Sequence, residues 1–317
     1  MAVTAAQVKE LRDLTGAGMM DCKKALTETN GNMDDAIELL RKKGQAKAEK
    51  KASRIAAEGV CFIAQDGDGR AAVVEVNSET DFVAQNEKFR TYVQQVAEQV
   101  LHSAAENMDD FMVETWAHDD AKSVKDSLVD MIAVISEKLS IRRFKRIVED
   151  EGCVVTYVHG KGRIGVIVDA KTEVVNDAVK EALTNVAMQI AAMNPKYISA
   201  DDIPEDFREH EKEILLAQAI QENEALPENK RKPQNIIEKM LIGRLNKEFK
   251  EICLLDQVYV RAEDGKQTVG QYLKQVGKEN GTDIRIANFV RFETGEGIEK
   301  KQDNFVEEVM AQAGASK

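Results

Sequence analysis

Apolar positions in this chain follow two periods. Near the N-terminus they recur every three to four residues: Val8, Leu11 and Leu14, then Met33, Ala36, Ile37 and Leu40. That spacing gathers each set on one face of a helix. Thr4 and Gln7 have capping-box spacing, and Gly16-Ala17-Gly18 breaks the first helix. Asp21 is placed to cap a second helix that Gly31 ends. A third closes on Arg41-Lys42-Lys43 and Gly44, the charge and C-cap that suit a helix C-terminus. Three short helices predict a small bundle with little core. The basic, Ala-rich stretch 45–58 predicts a helical connector with a solvated charged face.

Farther on the pattern turns β-rich and repeats at an offset of 93 residues. Glu58-Gly59 matches Glu151-Gly152, Gly67-Asp68-Gly69-Arg70 matches Gly160-Lys161-Gly162-Arg163, and Val73-Val74 matches Val166-Ile167. Each copy reads as a hairpin followed by a helix. The first helix carries Phe89, Tyr92, Val93, Val96, Ala97, Val100 and Leu101 on one face. The second carries Val179, Leu183, Val186 and Ile190 and stops at Asn194-Pro195. Between the copies, Ser123 and Asp126 open a helix with Val124, Leu128, Met131, Ile135 and Leu139 inward, and a strand runs from Ile141 to Val148. The charged, helix-prone stretch from 201 to 250 bends at Pro227–Pro233. Ile236, Ile237, Met240, Leu241, Leu245 and Phe249 stripe its second arm, which predicts a protruding antiparallel helical hairpin. A β-rich run at Leu254–Val260, a helix around Val269–Val276 and a last strand at Ile284–Phe292 complete the core. Phe305, Val306, Val309 and Met310 mark a terminal amphipathic helix.

Composition narrows the function. Among 317 residues, 44 Lys and Arg against 56 Asp and Glu give a net charge of −12, which argues against a broad nucleic-acid surface. Only Lys42–Arg54 offers a weak, salt-sensitive contact of that kind. There is no apolar run of membrane-spanning length and no signal peptide, so a cytoplasmic location is expected. Cys22, Cys61, Cys153 and Cys253 are isolated and read as buried, reduced thiols. His102, His118, His159 and His210 have no partners at metal-ligand spacing, and no nucleophile motif occurs, so neither a catalytic residue nor a metal site is expected. Gly160-Lys-Gly162-Arg-Ile-Gly165 fits a dinucleotide fingerprint, but a β-rich run follows it where a helix is needed. It reads as a hairpin turn, and no cofactor is expected.

Three local features point to a protein partner. Met19 and Met20, in the loop between the first two helices, are either core filling or a deformable docking pair. His159 sits at the tip of the second hairpin, as a solvated turn residue or a contact. The copies differ most after their second strand, where the first has Thr80-Asp81-Phe82-Val83-Ala84. There Asp81 caps the next helix and Phe82 staples it, or the pair presents a charged tip and an aromatic wedge to a partner. An adaptor whose bundle binds a ubiquitin-like or nascent-chain target is the alternative class.

Several of these stretches resemble one family. Val8-Lys-Glu-Leu-Arg12-Asp-Leu-Thr-Gly-Ala-Gly-Met19-Met20-Asp-Cys-Lys23-Lys24-Ala-Leu is similar to the N-terminal signature of the bacterial elongation factor Ts family, and Thr80–Ala84 to its second signature. Tyr157-Val-His159-Gly-Lys-Gly-Arg-Ile-Gly-Val and Val290-Arg-Phe-Glu-Thr-Gly-Glu-Gly-Ile-Glu-Lys extend the likeness over essentially the whole chain. The region from 200 to 260 departs most, being longer and more charged than in the shortest members. The resemblance implies guanine-nucleotide exchange on elongation factor Tu, in its GDP-bound and nucleotide-free forms, without covalent chemistry. It implies an α+β fold: a ubiquitin-associated-like three-helix bundle and connector at 1–55, a duplicated core with antiparallel sheets at 56–147 and at 148–200 with 250–293, an inserted helical hairpin of coiled-coil, dimerisation type at 201–249, and a C-terminal helical module at 294–317. It further implies that Thr80, Asp81, Phe82 and Val83 dislodge the partner's Mg²⁺. Leu11, Arg12, Met19, Met20, Lys23 and His159 would dock the partner.

Overall fold

The computed structural model describes residues 3–299. Helices and antiparallel sheets are mixed, as the α+β expectation required. Three helices open the chain: α1 (Ala5–Thr15), α2 (Met19–Glu28) and α3 (Met33–Lys51). The capping box at Thr4 forms, its hydroxyl accepting the Gln7 N–H at 3.3 Å. Gly16, at φ +67°, ends α1 in the left-handed conformation that glycine adopts without penalty. Val8, Leu11, Cys22, Ala25, Leu26 and Ala36 make the small core.

The pattern misplaced several boundaries here. Leu14 is exposed. Met19 and Met20 open α2 and do not lie in the loop; Gly18, and not Asp21, stands at its N-cap. Asp21 instead takes the Lys47 ammonium at 2.9 Å. Gly44 does not end the third helix, which absorbs much of the connector and runs on to Lys51.

After β1 (Glu58–Asp66) and β2 (Arg70–Ser78) come α4 (Asp81–Ala84), α5 (Glu87–His102) and α6 (Met108–Val113). A short ribbon, β3 (Thr115–Trp116) and β4 (Asp119–Ser123), leads to α7 (Val124–Ile135) and β5 (Ser140–Val148). Gly44 lies where α3 crosses α7: a Cβ there would be 3.6 Å from that of Ala133, within ordinary contact distance. α7 stops earlier than its apolar spacing suggested, because Ser136 turns left-handed at φ +66°. Leu139 is buried beyond the helix.

The second copy supplies β6 (Gly152–His159), β7 (Ile164–Lys171) and α8 (Asp177–Met193), then the long hairpin α9 (Glu205–Glu224) and α10 (Gln234–Ile252), α11 (Val269–Asn280) and β8 (Arg285–Glu293). The sheets are β1-β2-β5 and β6-β7-β8, each antiparallel with its hairpin's second strand in the middle. The terminal helix expected at Phe305–Met310 lies outside the described residues. Among the described residues no helix is long and apolar enough to cross a membrane.

The two sheets pack back to back. Cys61, Ala71, Val73 and Ile147 of one meet Val154, Ile167 and Phe292 of the other. On the outer faces, Ala72, Val74 and Val76 lie under α5, while Val166, Val168 and Ala170 lie under α8. Both central strands are thus covered on both sides, and each carries an apolar run, Ala71–Val74 and Gly165–Val168, that a buried carboxyl residue, Glu75 or Asp169, ends.

The repeat offset needs a correction. Cys61 and Val154 are equivalent at 93, but Val73 shares its inter-sheet face with Ile167, at 94. The turn joining β1 to β2 has three residues, and that joining β6 to β7 has four. Keeping 93 past the turn would invert every side chain of the strand. The expected strand at Leu254–Val260 is also absent. A 3-10 turn forms at Leu254–Asp256, pairing beyond it shrinks to one antiparallel bridge between Val258 and Thr268, and on the other side stands the buried Gln189 amide. It donates to the Val258 carbonyl at 3.1 Å and accepts the Val260 N–H at 2.9 Å.

Candidate partner interface

The corner where β2 passes into α5 is built from two consecutive caps. Thr80 is extended and accepts the Val83 N–H, starting the four-residue turn α4. Gln85 ends that turn, and Asn86 accepts the Phe89 N–H to begin α5. The capping role expected of Asp81 therefore belongs to Thr80 and Asn86. Val83 and Ala84 pack against the core under α5. On so short a turn, inward Val83 and Ala84 leave Asp81 and Phe82 facing out. Phe82 is 83% exposed, so it staples nothing. Burying such a ring would gain roughly 1.5–3 kcal/mol, which the isolated chain forgoes.

Glu137, from the turn after α7, holds this corner. One carboxylate oxygen accepts the Glu79 and Thr80 N–H groups, both at 3.1 Å; the other accepts the Thr80 hydroxyl at 2.8 Å. In return the Glu79 carboxylate accepts the Lys138 N–H and pairs with Arg54 at 3.2 Å.

A crevice separates the corner from the turn of the second copy. Asp81, Ala84, Gln85 and Arg90 line one side; Gly160, Lys161 and Arg163 line the other. Arg90 bridges it, donating to the Ala84 carbonyl at 3.4 Å and the Lys161 carbonyl at 3.0 Å. His159, beside that turn, is exposed, and its Nδ1 lies 2.9 Å from the Tyr157 hydroxyl. The Gly160–Gly165 motif makes a hairpin joint and opens no helix. A side chain at Gly162 would meet Val60 at 2.6 Å, and one at Gly165 would meet Val73 at 3.1 Å. Those glycines let the two sheets close on each other.

The N-terminal candidates divide. Arg12, Met19, Met20 and Lys23 are exposed, the methionines 47% and 62%. Leu11 is 0% exposed and belongs to the bundle core, so its expected docking contact is corrected to a supporting role. The exposed leucine of that helix is Leu14. Glu137 and Arg90 escaped the sequence reading because nothing marks them among so many charged residues. The thiols offer no nucleophile: burial pushes Cys61 up to about 12 and Cys253 up to about 11.

The model of the family described as Elongation factor TS matches residues 79–296, from this corner to the end of the second sheet. Elongation factor Ts of Clostridioides difficile is 48% identical over 311 residues, 98% of each chain. That of Clostridium tetani is 46% identical over 312 residues, 98% of this chain and 99% of the relative. This chain belongs to the elongation factor Ts family. It is therefore a translation elongation factor of the nucleotide-exchange kind, not a catalyst of covalent chemistry. The family span includes Thr80–Val83, Arg90, Glu137 and His159, while the N-terminal bundle is matched through the full-length relatives.

Proposed function

We propose that this chain promotes GDP release and GTP entry on elongation factor Tu by dislodging its Mg²⁺ and stabilising the nucleotide-free GTPase. The observation that carries this reading is Phe82: a large apolar ring held in water on a tightly capped corner, with a carboxylate beside it. In this reading Thr80 and Val83 anchor the corner while Asp81 and Phe82 enter the partner. Mg²⁺ bridges nucleotide phosphates and protein ligands, so losing it leaves phosphate charge poorly compensated. The factor need not touch the nucleotide. It must bind the nucleotide-free shape better than the loaded one, and linkage requires that nucleotide weaken the factor's hold equally. Arg12, Met19, Met20 and Lys23 would dock the bundle on the GTPase, and His159 would contact a more distal part of the partner. Self-association would run through the hairpin, whose Ile214, Ile220, Ile236 and Ile242 are exposed.

Stopped-flow release of a fluorescent GDP analogue tests the lever. Phe82→Ala should raise the barrier to release by about 2–4 kcal/mol and weaken docking less. Release at the unaltered rate by both Phe82→Ala and Asp81→Ala would overturn the reading.

A further inference from the structure

We propose that Glu137 is the positioning residue of the lever, fixing the direction in which α4 presents Asp81 and Phe82. The proposal rests on the exchange reading above and adds a residue to it. Past Ser78 the chain leaves the sheet, and the N–H groups of Glu79 and Thr80 have no strand to pair with. Glu137 supplies both partners from outside the hairpin. Its third bond matters most. A carboxylate only accepts, so the Thr80 hydroxyl must spend its proton on Glu137. That turns a hydroxyl lone pair toward the Val83 N–H, the cap that starts α4. One side chain thereby sets the rotamer of Thr80, the start of α4 and the outward face of the turn.

The clamp also has a firm base. Glu137 follows Ser136, the left-handed end of α7, so its backbone is anchored to that helix. α7 meets α3 at Gly44, and Arg41 of α3 pairs with Asp126 of α7 at 2.8 Å. Glu79 and Lys138 close the reciprocal contact, and the Lys138 ammonium reaches the Arg54 carbonyl at 2.7 Å. The frame that carries the N-terminal bundle thus also braces the corner. A lever works only if it resists load more stiffly than what it moves. The clamp should therefore matter after docking, when the corner bears on the partner.

The test titrates GDP release from elongation factor Tu against factor concentration. Glu137→Gln and Thr80→Val are compared with the unaltered chain and with Phe82→Ala, after thermal melting has checked the folding of each. Both clamp variants should lower the maximal release rate at saturation about tenfold and move the half-saturating concentration less than about twofold. Combined, they should cost no more than the worse single change, because both break one network. If Glu137→Gln does not fold, Thr80→Val decides alone. It removes the hydroxyl link and leaves the carboxylate its backbone partners. A saturating rate within twofold of the unaltered chain, or a loss confined to half-saturation, overturns the proposal, as does multiplication of the two effects. Normal release by Phe82→Ala and by Asp81→Ala alike would fail the lever reading on which this proposal rests. Slow release by Phe82→Ala with normal clamp variants fails only the role of Glu137.

Discussion

Two buried carboxyl groups occupy equivalent places in the two sheets, and their surroundings push their pKa values in opposite directions. Glu75, 0% exposed, faces the second sheet on the side that carries Val73. Burial pushes its carboxyl upward. The Gly295 N–H, Arg142, the Asn77 amide and Arg143 outweigh that and hold it below the usual glutamate range. Asp169, at the offset of 94, has Glu149 beside it instead. Burial and that neighbour push Asp169 up to about 7. Burial works against Glu149 as well, yet the Glu151 N–H and the Asp169 proton keep it below its ordinary value. The folded state thus binds the Asp169 proton more tightly than the unfolded chain does. Its stabilising effect is full below about pH 4 and lost as pH rises through about 7. Melting temperature should fall across that window, and Asp169→Asn should flatten the slope in calorimetric scans. Glu75→Ala leaves two arginines facing a buried gap and should cost about 3–5 kcal/mol in urea denaturation. None of this was legible in the sequence, where Glu75 is one acid among 56. The outward turn of Phe82 was half legible: its aromatic beside an acid stood out, but only the two caps around it decide which way it faces.

Among elements, periodicity located most helices and strands, and glycines set the errors. A Gly after three basic residues is the usual text of a helix end, yet at Gly44 it marks a helix crossing. The two meanings differ only in what packs alongside. Because a Cβ there meets Ala133 at 3.6 Å and Val129 at 3.7 Å, ordinary contact distances, Gly44→Ala should fit. It should raise stability by about 0.5–1 kcal/mol through helix propensity, read as a shift in urea midpoint. Gly162 behaves oppositely. At φ +102° and with Val60 2.6 Å from a would-be Cβ, Gly162→Ala should cost about 1–3 kcal/mol. It would pry at the joint between the sheets. The one-residue difference between the hairpin turns was invisible because both contain Gly-x-Gly-Arg; only the alternation of buried faces reveals it. The missing strand at Leu254–Val260 failed for a related reason, since a single bridge to Thr268 and one glutamine amide satisfy the backbone groups that β-rich text suggests for a ladder.

For the molecule as a whole, the hairpin of α9 and α10 stands on a buried base and carries its exposed isoleucines farther out. Ile203 is buried, and Arg208 donates to its carbonyl at 3.2 Å. Removing residues 212–247 and closing the gap with a short Gly-Ser turn should spare that base. Sedimentation should then show altered self-association, while GDP release from elongation factor Tu continues. The order of modules was readable from charge and periodicity, but how the sheets stack was not, because inter-sheet contacts join residues far apart in the chain, for example 91 positions between Gln65 and Thr156 and 233 between Cys61 and Thr294. That stacking has one more outcome. Gly295 takes the Glu75 carboxylate with its N–H and leaves no room for a Cβ against the Ala57 carbonyl. The last strand of the second sheet therefore delivers the chain to the doorstep of the first strand of the first. Entry and exit of the paired sheets lie side by side, so this region is a near-closed ring of polypeptide. A permuted version, with residue 297 spliced to residue 56 and new ends opened at the tip of the α9–α10 hairpin, should fold with both sheets intact. It would separate what the paired sheets do alone from what the two appendages sprouting at that junction add.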